Sequence, residues 1–266
     1  MRIIVVGPKG KMGKLITRIA ADRKDLELVA GVAPKGRDYI GKDLGQIVML
    51  GESLGVPVLD DLESAIEKCD AIIDFSTKEM AMHSLDLAIR YQKALICGTT
   101  GFSEEEMRRF REAGKTIPML YAANTSKLVN VMHKLLEIST KAVGNDTDIE
   151  ILEMHDQWKR DVPSGTSKEM GAVIAAAMGK DISDIAVYGR EAGENPRKEG
   201  SIGYHSLRSG NLPSSHSVYF GGMGERLEIT HHSYDWGCFA SGVCDCAEFL
   251  KGKSAGYYTM KDVLNL

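Results

Sequence analysis

The strongest constraint on the fold is an alternation of short β-branched runs with helical segments in the first half of the chain. A run at Arg2–Val6 leads through a glycine-rich turn into a helical pattern at residues 14–23, and a second apolar run follows at residues 26–32. Two more buried runs, at residues 71–75 and 94–97, are also separated by helical stretches. Because parallel strands need long crossover connections, this order predicts an α/β fold with a doubly wound parallel sheet.

The pattern changes after residue 125. Residues 129–143 and 167–178 have helical periodicity, and a strand is predicted between them at residues 149–154. Four strand-like runs then follow without intervening helices, around residues 203–208, 216–220, 226–231 and, more weakly, Cys238. Strands without crossover helices are typical of a mixed or antiparallel sheet.

We therefore predict two domains. The first comprises residues 1–125 together with 238–266, because residues 239–250 have the pattern of a helix that returns to the first sheet. The second comprises residues 126–237 and is a smaller α/β domain with a mixed or antiparallel sheet.

Composition narrows the class of protein. The net charge is −4 and no basic run stands out, which argues against nucleic acid or an anionic membrane as the main partner. No apolar run approaches the roughly 20 residues of a membrane span, and no leader sequence is expected. The five cysteines include no CxxC pair, so we expect free thiols in the cytoplasm and no metal site.

The turn after the first strand predicts a nucleotide site. Gly7, Gly10 and Gly13 form a GxxGxxG spacing between a strand and a helix, where the backbone can approach a diphosphate at the helix N-terminus. Lys9, Lys11 and Met12 belong to the same turn, and the two lysines can lie near the diphosphate. Glycines also serve tight turns, so the prediction of a Rossmann-type dinucleotide site rests on the surrounding strand–turn–helix pattern.

The end of the second strand indicates which dinucleotide binds. An NAD enzyme usually places a carboxylate there for the ribose 2′-hydroxyl, but this chain reads AGVAPKGR. Lys35 and Arg37 suit the 2′-phosphate of NADP, so we expect NADPH to be preferred and NADH to be possible. The alternative is that both residues are solvated loop charges.

Small residues follow the third and fourth strands, at the sheet edge where ligands bind in open α/β folds. They leave room for a nicotinamide ring, although tight turns and helix caps would also explain them. The remaining predicted cofactor residues are Phe75, Ser76, Gly98, Thr99, Thr100, Gly101, Ala123 and Asn124.

The segment EMHDQWKRDVPSGT carries the catalytic prediction. His155 and Lys159 lie four residues apart, and either can supply a proton or hold a carboxylate. The Pro-Ser-Gly-Thr turn that follows places Ser164, Gly165 and Thr166 before a helix, where backbone N–H groups can bind an anion. Together with the nucleotide site, this segment predicts a reductase acting on a small anionic substrate.

The motifs GPKGKMG, IIDFST, CGTTGF, VNVM, DIEILEMH, KRDVPSGT, SIGYHSLRSG and GERLEITH occur in one order. In this the chain resembles the 4-hydroxy-tetrahydrodipicolinate (dihydrodipicolinate) reductases. The resemblance implies NAD(P)H-dependent reduction of a cyclic unsaturated dicarboxylate in lysine and diaminopimelate biosynthesis. It also implies a dinucleotide-binding first domain, and a second domain that binds substrate and forms a homotetramer. His155 would be the proton donor, assisted by Lys159, and Gly165 and Thr166 would hold a carboxylate.

Three positions depart from the family pattern. Asp156 replaces a second histidine, Lys127 replaces an aliphatic residue, and Trp236 stands in a segment where the family often has arginine. A charge reversal near a substrate can change substrate preference, so a paralogous imine or enamine reductase stays an alternative. Asp156 and Lys127 are accordingly candidate substrate-binding residues. An NADPH-binding sensor without turnover is a third hypothesis, and the residues alone do not decide between His155 and Lys159 as the acid.

Overall fold

The computed structural model describes residues 1–266. Its strands are β1 Arg2–Val6, β2 Glu27–Val32, β3 Val58–Leu59, β4 Ala71–Asp74, β5 Ala94–Cys97, β6 Pro118–Tyr121, β7 Asp148–His155, β8 Ala186–Tyr188, β9 Ile202–Arg208, β10 Ser214–Gly221, β11 Arg226–Ser233 and β12 Gly256–Tyr258. Its helices are α1 Lys11–Asp22, α2 Leu44–Ile47, α3 Glu63–Ile66, α4 Lys78–Tyr91, α5 Glu104–Ala113, α6 Lys127–Val143, α7 Gly165–Ala177, α8 Ile182–Ile185, α9 Gly237–Leu250 and α10 Met260–Leu264.

The chain forms two compact units. The first contains Met1–Lys127 and Trp236–Leu266, and the second contains Leu128–Asp235. No helix is long and apolar enough to cross a membrane.

The first unit is built on a parallel sheet of seven strands in the order β12-β6-β5-β4-β1-β2-β3. Alternate residues of each central strand point to opposite faces, so Ile4 and Ile72 join one apolar cluster while Ile3 and Ile73 join another. Helices α3, α4 and α5 cover the first face, and α1, α9 and α10 cover the second. This confirms the predicted doubly wound parallel sheet.

The second unit contains a mixed sheet in the order β11-β10-β7-β9-β8. Strand β10 runs antiparallel to β7 and β11, whereas β9 runs parallel to β7 and β8. Buried residues on one sheet face, including Ile149, Ile151 and Val218, pack against α6 and α7. The prediction of a second sheet with mixed strands is therefore confirmed.

The predicted strand near Cys238 is wrong, because this residue lies in helix α9. The helical spacing is clear in the buried residues of α9, with Ala240, Val243, Cys244 and Ala247 at intervals of three and four. Glycine and cysteine, which occur several times in α9, have low helix propensity, and the buried apolar residues stabilise this helix.

Two adjacent leucines on α6 test the packing of the second unit. Leu136 is fully buried and Leu135 is 46% exposed. Replacing Leu136 by alanine is expected to lower the free energy of unfolding by about 2–5 kcal/mol, because a cavity remains in the core. Replacing Leu135 is expected to cost about 0.5 kcal/mol. Denaturant unfolding followed by circular dichroism measures both, and equal losses would contradict the packing described.

Candidate active site

The glycine-rich turn of the first unit has the geometry of an anion-binding site. Gly7 has a φ of +82°, and a Cβ added to Gly13 would lie 2.1 Å from the Gly7 carbonyl oxygen. The close approach of these two residues brings the chain tightly from β1 into α1. Gly10 is the N-cap of α1, and it makes no side-chain hydrogen bond to the helix. The backbone N–H groups of the first turn and the positive end of the helix dipole lie at this end of the helix.

A cavity of about 380 Å³ lies beside this turn, at the carboxyl ends of β1, β4 and β5. Its lining brings together predicted residues from three separate loops. These residues are Lys11, Met12, Phe75, Ser76, Gly98, Thr99 and Thr100, joined by Thr77 and Lys78. Such a cavity, at the carboxyl edge of a parallel sheet, is where open α/β proteins bind dinucleotides.

Asp74 holds two of these loops together, although the sequence did not single it out as a site residue. Its buried carboxylate accepts hydrogen bonds from Ser76 N at 3.1 Å, Ser84 Oγ at 2.6 Å and Thr99 Oγ1 at 3.1 Å. Burial raises the pKa of Asp74 in spite of these donors. The carboxylate thereby connects the turn after β4 to the turn after β5.

The other predicted cofactor residues lie outside the cavity lining. Lys9 lies over the Tyr39 ring, 4.4 Å from its centroid. Lys35 and Arg37 are exposed on the loop after β2. The others beyond the lining are Gly7, Gly10, Gly13, Gly101, Ala123 and Asn124.

Trp236, one of the three departures from the family pattern, lies beside the glycine-rich turn. The Lys11 Nζ is 3.4 Å from the centroid of the Trp236 ring, within range of a cation–π interaction. Trp236 also packs against Phe239, with ring centroids 5.4 Å apart. This tryptophan therefore contacts a residue of the nucleotide cavity.

In the second unit, His155 belongs to a buried ion-pair network. It ends strand β7 with 7% of its surface exposed, and its Nδ1 lies 2.5 Å from Oε2 of Glu153. Arg208 donates from Nη1 and Nη2 to both oxygens of Glu153, each at 2.9 Å. The histidine thus lies against a carboxylate that an arginine holds in a two-pronged geometry.

The ionised form of Glu153 is strongly favoured. Burial raises its pKa, but hydrogen bonds from His155 and Arg208 outweigh burial and lower the pKa from 4.5 to about 2. Since the folded pKa lies below the unfolded value, this stabilisation is present above about pH 4.5 and is lost as the pH falls toward 2.

The Pro-Ser-Gly-Thr turn forms the start of α7. Ser164 caps this helix by accepting a hydrogen bond from Ser167 N at 3.1 Å, and its hydroxyl also lies 3.1 Å from His216 Nε2. Gly165 is exposed, and a Cβ added to this glycine would have no other atom within 4 Å. Thr166 is half-buried. The first turn of α7 therefore opens to a space where an anion can bind.

His216 adds a second buried imidazole beside this turn. Its ring meets that of His155 edge to face, with centroids 5.2 Å apart. Burial and the neighbouring His155 lower the pKa of His216 to about 3, so the ring is neutral at physiological pH.

The predicted residues Lys159 and Asp156 lie on the loop after β7. Lys159 Nζ is 2.8 Å from Asp161 Oδ1, and the lysine side chain is 23% exposed. Asp156 Oδ1 accepts a hydrogen bond from the backbone N–H of Trp158 at 2.9 Å. The carboxylate of Asp156 therefore stabilises the turn in which it lies.

Lys127, a candidate substrate-binding residue, lies at the start of α6. It belongs to the first unit, where its Nζ lies 2.7 Å from Oδ2 of Asp245. Asp245 also accepts a hydrogen bond from Arg23 at 2.6 Å. The charge that Lys127 adds is therefore balanced locally.

Sequence reasoning missed Glu153, Arg208 and His216 as members of the site. Strand periodicity was the available signal for Glu153, because residues two apart on a strand share a face and Glu153 precedes His155 by two. No local pattern identifies Arg208 or His216, whose contacts depend on the pairing of β7 with β9 and β10.

No group of three or more histidine, cysteine, aspartate or glutamate residues has the arrangement needed to hold a metal ion. Each unit therefore carries its own candidate site: the cavity lined by Lys11 and Thr99 in the first unit, and the buried network of His155 in the second.

Two family models match nearly the whole chain. One, described as dihydrodipicolinate reductase, N-terminus, covers residues 1–125, and the other, described as dihydrodipicolinate reductase, C-terminus, covers residues 128–264. The 4-hydroxy-tetrahydrodipicolinate reductase of Pseudomonas fluorescens is 42% identical over 266 residues, spanning 100% of this chain and 99% of that protein. That of Hahella chejuensis is 39% identical over 265 residues, with coverage of 100% and 99%.

A solved structure agrees with these matches. The dihydrodipicolinate reductase of Paenisporosarcina sp. TG-14, with dipicolinate bound, superposes with a TM-score of 0.74. It shares 25% sequence identity, and the match covers 98% of each chain.

Asp74 at the end of β4 and Asp70 just before this strand test the role of Asp74. Replacing Asp74 by alanine is expected to lower the free energy of unfolding by about 1–3 kcal/mol, because the buried hydroxyl groups of Ser84 and Thr99 lose their acceptor. We also expect dinucleotide binding to weaken at least about tenfold as the cavity loops separate. Asp70, which pairs with Arg2 near the surface, is the control and should cost less than about 1 kcal/mol.

Calorimetric unfolding and fluorescence titration with dinucleotide measure the two effects. If Asp74→Ala and Asp70→Ala bind dinucleotide equally well, the carboxylate of Asp74 does not organise the cavity.

Proposed function

The chain belongs to the dihydrodipicolinate reductase family, and from this premise we propose how its residues carry out the reduction of 4-hydroxy-tetrahydrodipicolinate with NAD(P)H. The reaction belongs to lysine and diaminopimelate biosynthesis. The observation that carries the proposal is the buried pairing of His155 with Glu153 on a strand that leads into the Pro-Ser-Gly-Thr turn. An acid and an anion-binding helix N-terminus are the two groups that the reduction of an anionic imine needs.

The first unit binds the nicotinamide cofactor, which supplies a hydride when bound. The residues fit a dinucleotide because the turn at Gly7 and Gly13 excludes any Cβ and the N-terminus of α1 has no side-chain cap. We assign the diphosphate to this turn and to Lys11, and the nicotinamide to the cavity lined by Ser76 and Thr99. The cavity has small residues where a flat ring must lie against the backbone.

The second unit holds the substrate. We assign the binding of a substrate carboxylate to three groups: the backbone of Gly165, the side chain of Thr166 and the ammonium group of Lys159. This assignment is supported by the open space at the start of α7 and by the partial exposure of Lys159. His155 is assigned as the proton donor, because its ring is held rigidly and its Nδ1 is already engaged.

The departures from the family pattern do not require a different substrate. Asp156 accepts a hydrogen bond from its own turn, Lys127 pairs with Asp245, and Trp236 lies against Lys11. Each added group has a local partner, so the geometry favours the reaction of the family over that of a paralogous reductase.

The assembly is proposed to be a homotetramer formed through the second sheet. One face of this sheet packs against α6 and α7, while the opposite face carries Leu152, Met154, Leu207 and Tyr219. Leu207 is 48% exposed, and apolar side chains on an uncovered sheet face are typical of a subunit interface. The cytoplasm is the proposed location, supported by five free thiols.

NADPH is the proposed preferred cofactor, with Lys35 and Arg37 at its 2′-phosphate. Replacing both residues by alanine is expected to raise the KM for NADPH at least about tenfold while the KM for NADH stays within about twofold, because only NADPH carries the phosphate. Lys42, an exposed lysine five residues beyond Arg37, is the control for lost surface charge. Steady-state kinetics with both cofactors measure the effect, and a preference of the unaltered enzyme for NADH would overturn the proposal.

Replacement of the two assigned catalytic residues tests the reaction itself. NADPH oxidation is followed with freshly generated 4-hydroxy-tetrahydrodipicolinate. His155→Ala is expected to lower kcat by about 10²–10⁴-fold, because the proton must come from solvent. Lys159→Ala is expected to raise the KM for substrate about tenfold or more, because a carboxylate loses its ion pair.

The control is His232→Ala, which removes an exposed histidine of β11 that contacts Ser215. It should leave kcat and KM unchanged. Full turnover by both His155→Ala and Lys159→Ala would refute the catalytic assignment.

A further inference from the structure

Glu153 pairs with His155 in the second unit, but the proposed reaction gives the carboxylate itself no role. Its side chain is 1% exposed, yet it is ionised at neutral pH. An ionised carboxylate is costly to bury unless hydrogen bonds surround it. Here the donors come from His155, both terminal nitrogens of Arg208 and the backbone N–H of Ser164.

The contact with Glu153 determines which ring nitrogen of His155 carries the proton. An ionised carboxylate can only accept hydrogen bonds, so Nδ1 of His155 must donate in the 2.5 Å contact. The other ring nitrogen, Nε2, is left to exchange a proton with a substrate.

Arg208 extends the same cluster to the other substrate-binding groups. Its Nε donates to the carbonyl oxygen of Lys159 at 3.3 Å, and its Nη2 donates to that of Asp161 at 2.6 Å. Glu153 itself accepts from Ser164 N at 3.3 Å, where α7 begins. The buried Glu153–Arg208 pair therefore contacts the histidine, the loop that carries Lys159 and the start of the carboxylate-binding helix.

Strand β7 carries a second carboxylate with charged partners, Glu150, and its side chain is less buried than that of Glu153. Glu150 also contacts one histidine and two arginines, with His205 Nε2 at 2.7 Å, Arg190 at 2.5 Å and Arg197 at 3.1 Å. It points to the opposite face of the sheet and its side chain is 23% exposed. The strand thus carries two carboxylate–histidine–arginine clusters, and only that of Glu153 contacts the site.

We propose that Glu153 is a positioning residue for the proton transfer. It orients His155 with Nε2 toward the substrate, and through Arg208 it holds the Lys159 loop in place. The inference rests on the proposed function, and it adds a residue that acts through His155 without touching substrate or cofactor.

Other charged and titratable groups surround this cluster. Arg208 faces Glu153 from β9 and His216 faces His155 from β10. His133 of α6 and His231 of β11 lie close enough to His216 to affect its charge. Lys159 and Asp161 face Arg208 from the loop after β7. Among these groups, Glu153 is the one whose carboxylate contacts the His155 ring.

The test replaces Glu153 by glutamine, which preserves the shape and removes the charge. We expect kcat to fall about tenfold to a thousandfold, while the KM for NADPH stays within about twofold. Because the variant lacks the charge beside the proton donor, the pH above which the rate falls should move at least about one unit lower in Glu153→Gln. A purely structural role would lower activity without moving this pH limb.

Glu150→Gln is the matched control, since it breaks the equivalent cluster on the opposite sheet face. Its kcat and pH profile should equal those of the unaltered enzyme once the oligomeric state has been checked by light scattering. Glu153→Asp is the second variant: it retains the charge but draws the carboxylate back by one methylene. It should lower kcat with little movement of the pH limb, and it keeps the test usable if Glu153→Gln does not fold.

Nitrogen-15 NMR of histidine-labelled protein gives a readout that does not depend on turnover. The unaltered protein should show His155 with its hydrogen on Nδ1, and Glu153→Gln should lose that preference. A hydrogen on Nε2 with none on Nδ1 in the unaltered protein would overturn the inference.

An unchanged kcat and pH profile in Glu153→Gln would also overturn the inference, provided that the unaltered enzyme is active. An unaltered enzyme without turnover of the substrate would instead refute the proposed function, and the NMR result would then decide the positioning of His155 separately.

Discussion

A buried carboxylate at the end of a central strand organises the functional loops in each unit. Asp74 ends β4 and holds the turns after β4 and β5, while Glu153 lies near the end of β7 and holds His155 and the start of α7. Burying a carboxyl group is unfavourable unless hydrogen-bond donors surround it. The donors to Asp74 and Glu153 therefore fix the conformations of the loops that carry them.

The two units use a helix N-terminus in different ways. Helix α1 begins at Lys11, its N-cap Gly10 makes no side-chain hydrogen bond, and the ligand proposed for this helix end is a diphosphate. Helix α7 is capped by Ser164, whose hydroxyl accepts from Ser167. This cap satisfies the N–H of Ser167, and the ligand proposed for the first turn, at Gly165, is a carboxylate of the substrate.

Much of the fold could be predicted from local pattern. The strands of the first sheet, the glycine-rich turn and the long helices follow from periodicity and spacing, since each is determined by residues close in sequence. The strand predicted near Cys238 is wrong, because this residue lies in α9, and the helix is evident in the spacing of the buried residues that follow it. The two-residue strand β3 and the three-residue strand β12 are too short to produce a periodic signal, and they exist because neighbouring strands pair with them.

For the site, the sequence by itself determined the chemical groups: a glycine turn for a diphosphate, an imidazole, an ammonium group and a helix start for a carboxylate. Only the tertiary structure decided their partners. Arg208 meets Glu153 across 55 residues, and His216 meets Ser164 across 52. Both contacts depend on the register of β9 and β10 beside β7, where Arg208 pairs with His155 and His216 pairs with Glu153. Register is set by the packing of a whole sheet face, so no local stretch of sequence contains it.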